Sequence, residues 1–162
     1  MADPRIIDFH PRHADAFREL NLAWIRQLWE PEESDFKALD RPQENIIDAG
    51  GYIAVAELDG EIVGTCALIK LSEDRFELAK MTVAESARGT GLGQKLGEAV
   101  IERARSLGAS SVYLESNSAL TPAITMYEKL GFTHVEGGCS PYERCNVQME
   151  LLFDGGKPGN DS

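Results

Sequence analysis

Apolar positions change period several times along this chain, and each change marks an element. Arg5 to Asp8 reads as a short strand, and after Pro11 the residues Phe17, Leu20, Trp24 and Leu28 recur at helical spacing. Pro31 to Ala49 is acidic, broken by Pro31 and Pro42, with apolar marks at Phe36, Leu39, Ile46 and Ile47; it predicts one or two short helices. Gly51–Leu58 and Glu61–Leu71 are β-rich runs joined by Asp59-Gly60, a strong two-residue hairpin signal, so the second and third strands are antiparallel. A fourth strand, Phe76 to Val83, follows the polar turn Ser72-Glu73-Asp74 and ends just before a glycine-rich stretch.

From Leu92 onward, Leu96, Val100, Ala104 and Leu107 mark one helical face, and Gly108 supplies a left-handed stop. Ser111 to Glu115 reads as a buried strand. Thr121, as a cap, and Pro122, at the first helical position, open a last helix that Gly131 closes after Leu130. Phe132–Glu136 and Arg144–Phe153 complete the strands. Residues 1–153 are expected to form one domain, and the glycine-rich polar stretch 154–162 a flexible tail. No internal repeat is present.

Composition narrows the class. At 43% hydrophobic and 27% charged, the 162 residues have ordinary globular usage and enough length for one core. A formal charge of −11 opposes binding to nucleic-acid backbones and mildly favours cationic small molecules. Cys66, Cys139 and Cys145 are an odd number without CxxC or Cys/His spacing, so neither a disulfide framework nor a metal site is implied. No apolar run reaches the roughly 18 residues of a membrane helix, and the first residues lack a secretory signal. The expected location is the cytoplasm, with no membrane partner.

The chemistry concentrates in Arg88-Gly89-Thr90-Gly91-Leu92-Gly93, between an apolar strand and an amphipathic helix. Glycines allow close backbone approach to a ligand, and the first helical amides lack carbonyl partners, so the place suits phosphate oxygens. A triphosphate loop would need Gly-Lys-Ser/Thr, but Gly93 is followed by Gln94-Lys95-Leu96. A dinucleotide fingerprint should open a repeating strand-helix-strand sheet, whereas this loop sits at mid-chain after an antiparallel hairpin. A CoA pyrophosphate loop remains. The strand before it, Arg88-x-x-Gly91-x-Gly93, and the downstream Asn117, Tyr127 and Gly131-Phe132 together resemble the GNAT superfamily of N-acetyltransferases. The resemblance runs from Ile6 to Leu152 and is most specific from Phe76 to Phe132.

That resemblance implies an α+β fold: a mixed, mostly antiparallel central sheet of about seven strands with helices on both faces. It implies acetyl-CoA as co-substrate. Arg88, Gly89, Thr90, Gly91, Leu92, Gly93 and Gln94 would hold the pyrophosphate, Met81, Thr82 and Val83 would pair with the pantetheine arm, and Asn117 would be the polar residue after the fifth strand. The fourth strand would splay from the fifth to admit the thioester. Tyr127 would hydrogen-bond the CoA sulfur; the alternative is a core tyrosine on the face shared with Ala123 and Leu130. Glu77 is the first choice for the base that takes the amine proton, and Glu115 the second; each is otherwise a strand-surface charge.

Glu85 reads as a loop charge, and His10, His13 and His134 receive no role. Asn21, Trp24, Arg26, Trp29 and Glu33 are candidates for an acceptor pocket, with Trp24 also placed on the core stripe, and Tyr142 and Arg144 for that pocket or a subunit contact. The expected activity is transfer of an acetyl group to a primary amine of a small molecule or peptide by direct attack in a ternary complex. The alternatives are a CoA-binding sensor without turnover and, last, a bare scaffold. A homodimer stays open, as do the acceptor's identity and the acyl-chain preference.

Overall fold

The computed structural model describes residues 4–135 and 145–153. Seven strands form one sheet: β1 (Arg5–Asp8), β2 (Tyr52–Leu58), β3 (Glu61–Lys70), β4 (Arg75–Val83), β5 (Ser111–Ser116), β6 (Thr133–His134) and β7 (Val147–Leu152). Their order is β1-β2-β3-β4-β5-β7-β6, antiparallel throughout except for the parallel pair β4–β5. Asp59 (φ 53°) and Gly60 (φ 83°) both take positive φ in the β2–β3 turn, the conformation that an Asp-Gly hairpin favours. The main helices are α1 (Ala14–Ile25), α2 (Glu33–Asp40), α3 (Leu92–Ser106) and α4 (Thr121–Leu130).

Strand alternation explains why both faces are covered. In β2, Ile53 and Val55 meet Phe17, Leu22, Ile25 and Leu39 of α1 and α2, while Ala54 and Ala56 join the core that contains Leu96, Val100 and Ala104 of α3. The small residues on the α3 side let that helix sit close, and Gly64 of β3 faces Leu96 directly.

Helix α1 differs from its expected stripe. Phe17, Asn21, Leu22 and Ile25 are buried, and the helix ends at Ile25, leaving Leu28 59% exposed. The buried line includes a polar Asn21 because β3 offers it Thr65 as a partner, which helical spacing alone cannot reveal. At α4 the cap position falls to Leu120 rather than Thr121, and the side chain of Asn117 closes the preceding turn onto the Ala119 amide. Cys66 is a buried free thiol. Cys145 lies two residues before β7 and is disulfide-bonded, which the unspaced cysteines did not imply. The last two strands are shorter than expected, Thr133–His134 and Val147–Leu152, so Phe132, Val135, Cys145, Asn146 and Phe153 lie outside them; Glu136, Cys139, Tyr142, Arg144 and the tail fall outside the described residues.

Candidate active site

Two local irregularities open a cavity of about 550 Å³ in the middle of the sheet. First, β4 and β5 pair only at Arg75–Ser111, Phe76–Val112 and Glu77–Tyr113, and then part company although β4 runs on to Val83. The slot lies between the free halves of these strands. Second, β4 carries a bulge: Thr65 pairs with Thr82 but Ala67 with Ala79, so two β4 residues oppose one on β3. Lys80, inside the bulge, has φ 52°, a left-handed conformation costing roughly 1–2 kcal/mol for a residue with a Cβ. Before the bulge, Phe76 and Leu78 face α3; after it, Met81 and Val83 do. Glu77 lies on the opposite face.

One end of the cavity is the loop before α3. Gly89 (φ 80°) and Gly91 (φ 79°) take the left-handed conformation, and a Cβ at either would meet nothing within 4 Å. Gly91 occupies the cap position of α3, and no side chain caps the helix. The Gly91 carbonyl receives the amide of Lys95 at 3.2 Å, so the amides of residues 92–94 precede the first helical bond. A backbone cradle with open space above it and uncapped amides suits a phosphate group. Thr90 Oγ1 donates to the Ala87 carbonyl at 2.7 Å, and Arg88 Nε to the Val83 carbonyl at 3.0 Å, which ties the loop to the end of β4.

The other end is polar and aromatic. Trp24 and Trp29 line it with ring centroids 6.1 Å apart, alongside Asn21, Glu77 and Glu115. Burial, and next the neighbouring Glu115 carboxylate, push the Glu77 carboxyl up to about 7 despite Lys80 and Arg75 nearby. Glu115 Oε2 accepts from the Tyr113 hydroxyl at 2.9 Å, and that hydroxyl accepts from Gln148 Nε2 at 2.8 Å. From α4, Tyr127 lines the cavity edge-to-face with Phe132 at 6.0 Å. Among the described residues its hydroxyl makes no hydrogen bond, and burial holds its pKa above the ordinary phenol value, so it stays a proton donor.

The model of the Acetyltransferase (GNAT) family matches residues 15–132, from α1 through the end of α4. The chain belongs to this family. Over 100 residues it is 39% identical to the uncharacterized N-acetyltransferase YjgM of Escherichia coli (strain K12), covering 59% of this chain and 60% of that protein. Over 119 residues it is 34% identical to the mycothiol acetyltransferase of Saccharomonospora viridis, covering 67% of this chain and 39% of that one. The chain thus spans 60% or less of the length of these curated relatives. In fold it matches a GNAT acetyltransferase from Staphylococcus aureus Mu50 with TM-score 0.84 at 23% identity, covering 93% of this chain and 99% of that one. It also matches a putative acetyltransferase from Salmonella typhimurium, solved with its cofactor acetyl-CoA, with TM-score 0.73 at 19% identity, covering 93% and 94%.

GNAT acetyltransferases use acetyl-CoA as acyl donor, and in this chain the glycine loop and the slot line one cavity. Of the residues singled out in the sequence, Glu77, Met81, Thr82, Val83, Arg88, Gly89, Gly91, Leu92, Gly93, Asn117 and Tyr127 all line the cavity. Thr90 and Gln94 do not: the Thr90 hydroxyl turns back to Ala87, and Gln94 Nε2 donates to Glu98 Oε2 at 3.3 Å along the helix. Asn117 lines the cavity while its Oδ1 receives the Ala119 amide at 2.8 Å. Of the acceptor candidates, Asn21, Trp24 and Trp29 reach the cavity, and Trp24 is half-buried there; Arg26 and Glu33 do not reach it.

The sequence reading missed a buried ion pair made by the cavity-lining Lys80. Lys80 Nζ donates to Asp35 Oδ1 of α2 at 2.7 Å, with the two side chains only 6% and 0% exposed. The available signal was a lysine between Ala79 and Met81 in a strand that continues into the sheet. His134 is exposed beside Glu128, and His10 and His13 cap each other before α1, all away from the cavity.

Proposed function

We propose that the protein transfers the acetyl group of acetyl-CoA to a primary amine of a small molecule or peptide, by direct attack with donor and acceptor bound together. The single observation that carries this reading is one continuous cavity joining the phosphate cradle, through the β4–β5 slot, to the carboxylates and tryptophans at the far end. Backbone groups of Met81, Thr82 and Val83 flank the slot and would receive the pantetheine arm; the amides of residues 89–94 would hold the pyrophosphate. The donor supplies a thioester carbonyl. The chain must supply a base for the ammonium proton and an acid for the departing sulfur. Glu77 fits the first need because a carboxylate whose pKa is raised to about 7 is a stronger base than an ordinary one and is still substantially ionised at neutral pH. Tyr127 fits the second as a protonated phenol whose hydroxyl is uncommitted among the described residues.

The test is a screen of monoamines, polyamines, amino acids and peptides for CoA release from acetyl-CoA. Turnover with at least one amine supports the transferase. Tight acetyl-CoA binding with no release for any amine would leave the sensor reading instead.

Two further outcomes follow from the site. If Glu77 is the base, kcat/KM should rise with pH through about 7, and Glu77→Gln should remove that limb of the profile along with most of the activity. The stability signature has the opposite sign. The folded state holds the Glu77 proton up to about 7 and the unfolded chain only to about 4.5, so wild-type stability falls as pH rises through that window. Glu77→Gln should therefore gain relative to wild type between pH 5 and 8, by on the order of 2 to 3 kcal/mol as an upper bound. Thermal melts at the two pH values measure it, and an unchanged difference removes Glu77 from the buried-carboxyl role.

Arg88→Ala should weaken CoA binding by roughly 3- to 10-fold, because a cation and its tie to Val83 are lost while the loop amides remain. A loss exceeding that of the Gly91 substitution discussed below would show that the arginine, and not the backbone, is the main anchor.

A further inference from the structure

We infer that the buried pair Asp35–Lys80 is a positioning device that holds the bulge of β4, and with it the strand surface offered to the donor's thiol arm. The inference rests on the reading that β4 receives that arm.

Two unfavourable features coincide at Lys80. Its backbone has φ 52°, where glycine is the usual residue, and its ammonium is buried against a carboxylate, an arrangement that well-packed apolar side chains commonly equal in stability. Strain of this kind persists only where the surroundings over-determine it. Here three elements grip one residue. Thr65 Oγ1 of β3 donates to the Lys80 carbonyl at 3.0 Å, and Asn21 Nδ2 of α1 reaches Thr65 Oγ1 at 3.2 Å and the Phe17 carbonyl at 2.8 Å. From α2, Asp35 Oδ1 takes Lys80 Nζ at 2.7 Å while its Oδ2 takes the Glu32 amide at 2.7 Å, so the carboxylate is fixed by the first turn of its own helix.

The bulge lies three residues past Glu77, where β4 has left β5. There it reverses which residues face α3, and so places Met81 beside Gly97, and Val83 beside Gly93. A strand that relaxed to unbroken alternation would turn these side chains to the other face and re-aim the peptide groups along the slot. The nucleotide cradle sits at the start of α3 and would shift less, although Arg88 Nε ties it to the Val83 carbonyl. Losing the latch should therefore harm the thiol end of donor binding and spare the phosphate end.

The decisive comparison uses two double variants that both remove both charges, so neither leaves a lone buried ion. Asp35→Asn/Lys80→Gly places at the bulge a residue that accepts φ 52°; Asp35→Asn/Lys80→Met places one that does not. Calorimetry with CoA and with its nucleotide half, adenosine 3′-phosphate 5′-diphosphate, is paired with kcat. The glycine variant should stay within roughly 3-fold of wild type in CoA affinity; the methionine variant, which loses the same charge near Glu77, should lose about 10-fold or more in CoA affinity and in kcat relative to the glycine variant, with its nucleotide affinity within about 2-fold.

Identical behaviour of the two variants, or a methionine loss that falls equally on the nucleotide half, overturns the positioning role. Should the methionine variant not fold, Asp35→Asn alone gives the reading: an unchanged kcat and CoA affinity sinks the inference, and a kcat loss with intact nucleotide binding supports it. Wild-type protein that binds neither CoA nor the nucleotide half would overturn the donor reading itself.

Discussion

Gly91→Glu is expected to fold and to lose measurable CoA binding. Residue 91 caps α3 with φ 79°, and the space its Cβ would enter is open among the protein atoms. That is where the phosphates would approach uncapped amides. A glutamate there puts a carboxylate at the positive end of the helix, where it competes with the phosphates for the same amides and repels them. The left-handed backbone adds a cost of roughly 1–2 kcal/mol for any Cβ, so Gly91→Ala serves as the control. Alanine carries the strain without the charge and should retain most of the affinity. Calorimetry on both variants separates the causes. Unchanged affinity in a folded Gly91→Glu protein would sink the cofactor assignment, and equal losses for both substitutions would replace the electrostatic account by one of backbone strain.

Tyr127→Phe should lower kcat on the order of 10²-fold or more, with CoA affinity and melting temperature little changed. The substitution removes one oxygen and keeps the ring against Phe132 and the surrounding core. The hydroxyl has no protein hydrogen bond to lose among the described residues, so stability has little reason to fall. Its use would come only as negative charge gathers on the sulfur and the carbon–sulfur bond breaks, an interaction absent from the bound ground state. Such an effect belongs in kcat and not in KM. Lower stability with normal turnover would identify Tyr127 as a packing residue; intact turnover and stability together would assign the proton to water or another donor, and the transferase reading would survive without Tyr127.

What the sequence by itself determined here is local. The Asp59-Gly60 turn, the left-handed stops Gly108 (φ 88°) and Gly131 (φ 107°), and the positions of α3 and β5 follow from backbone preferences and apolar period, which act over a few residues. The shape of the loop before α3 was legible for the same reason: it follows from the alternating glycines Gly89 and Gly91 and the amides next to them. Tertiary structure decided whatever depends on partners far along the chain. That Asn21 is buried is decided by Thr65, 44 positions away; that Lys80 can be buried at all, by Asp35, 45 positions away. The parting of β4 from β5 and the bulge that reverses facing within β4 break the simple alternation on which any strand reading rests. The Glu77 carboxyl is raised for the same kind of reason: burial, together with the Glu115 charge on a neighbouring strand, exists only after the sheet is assembled.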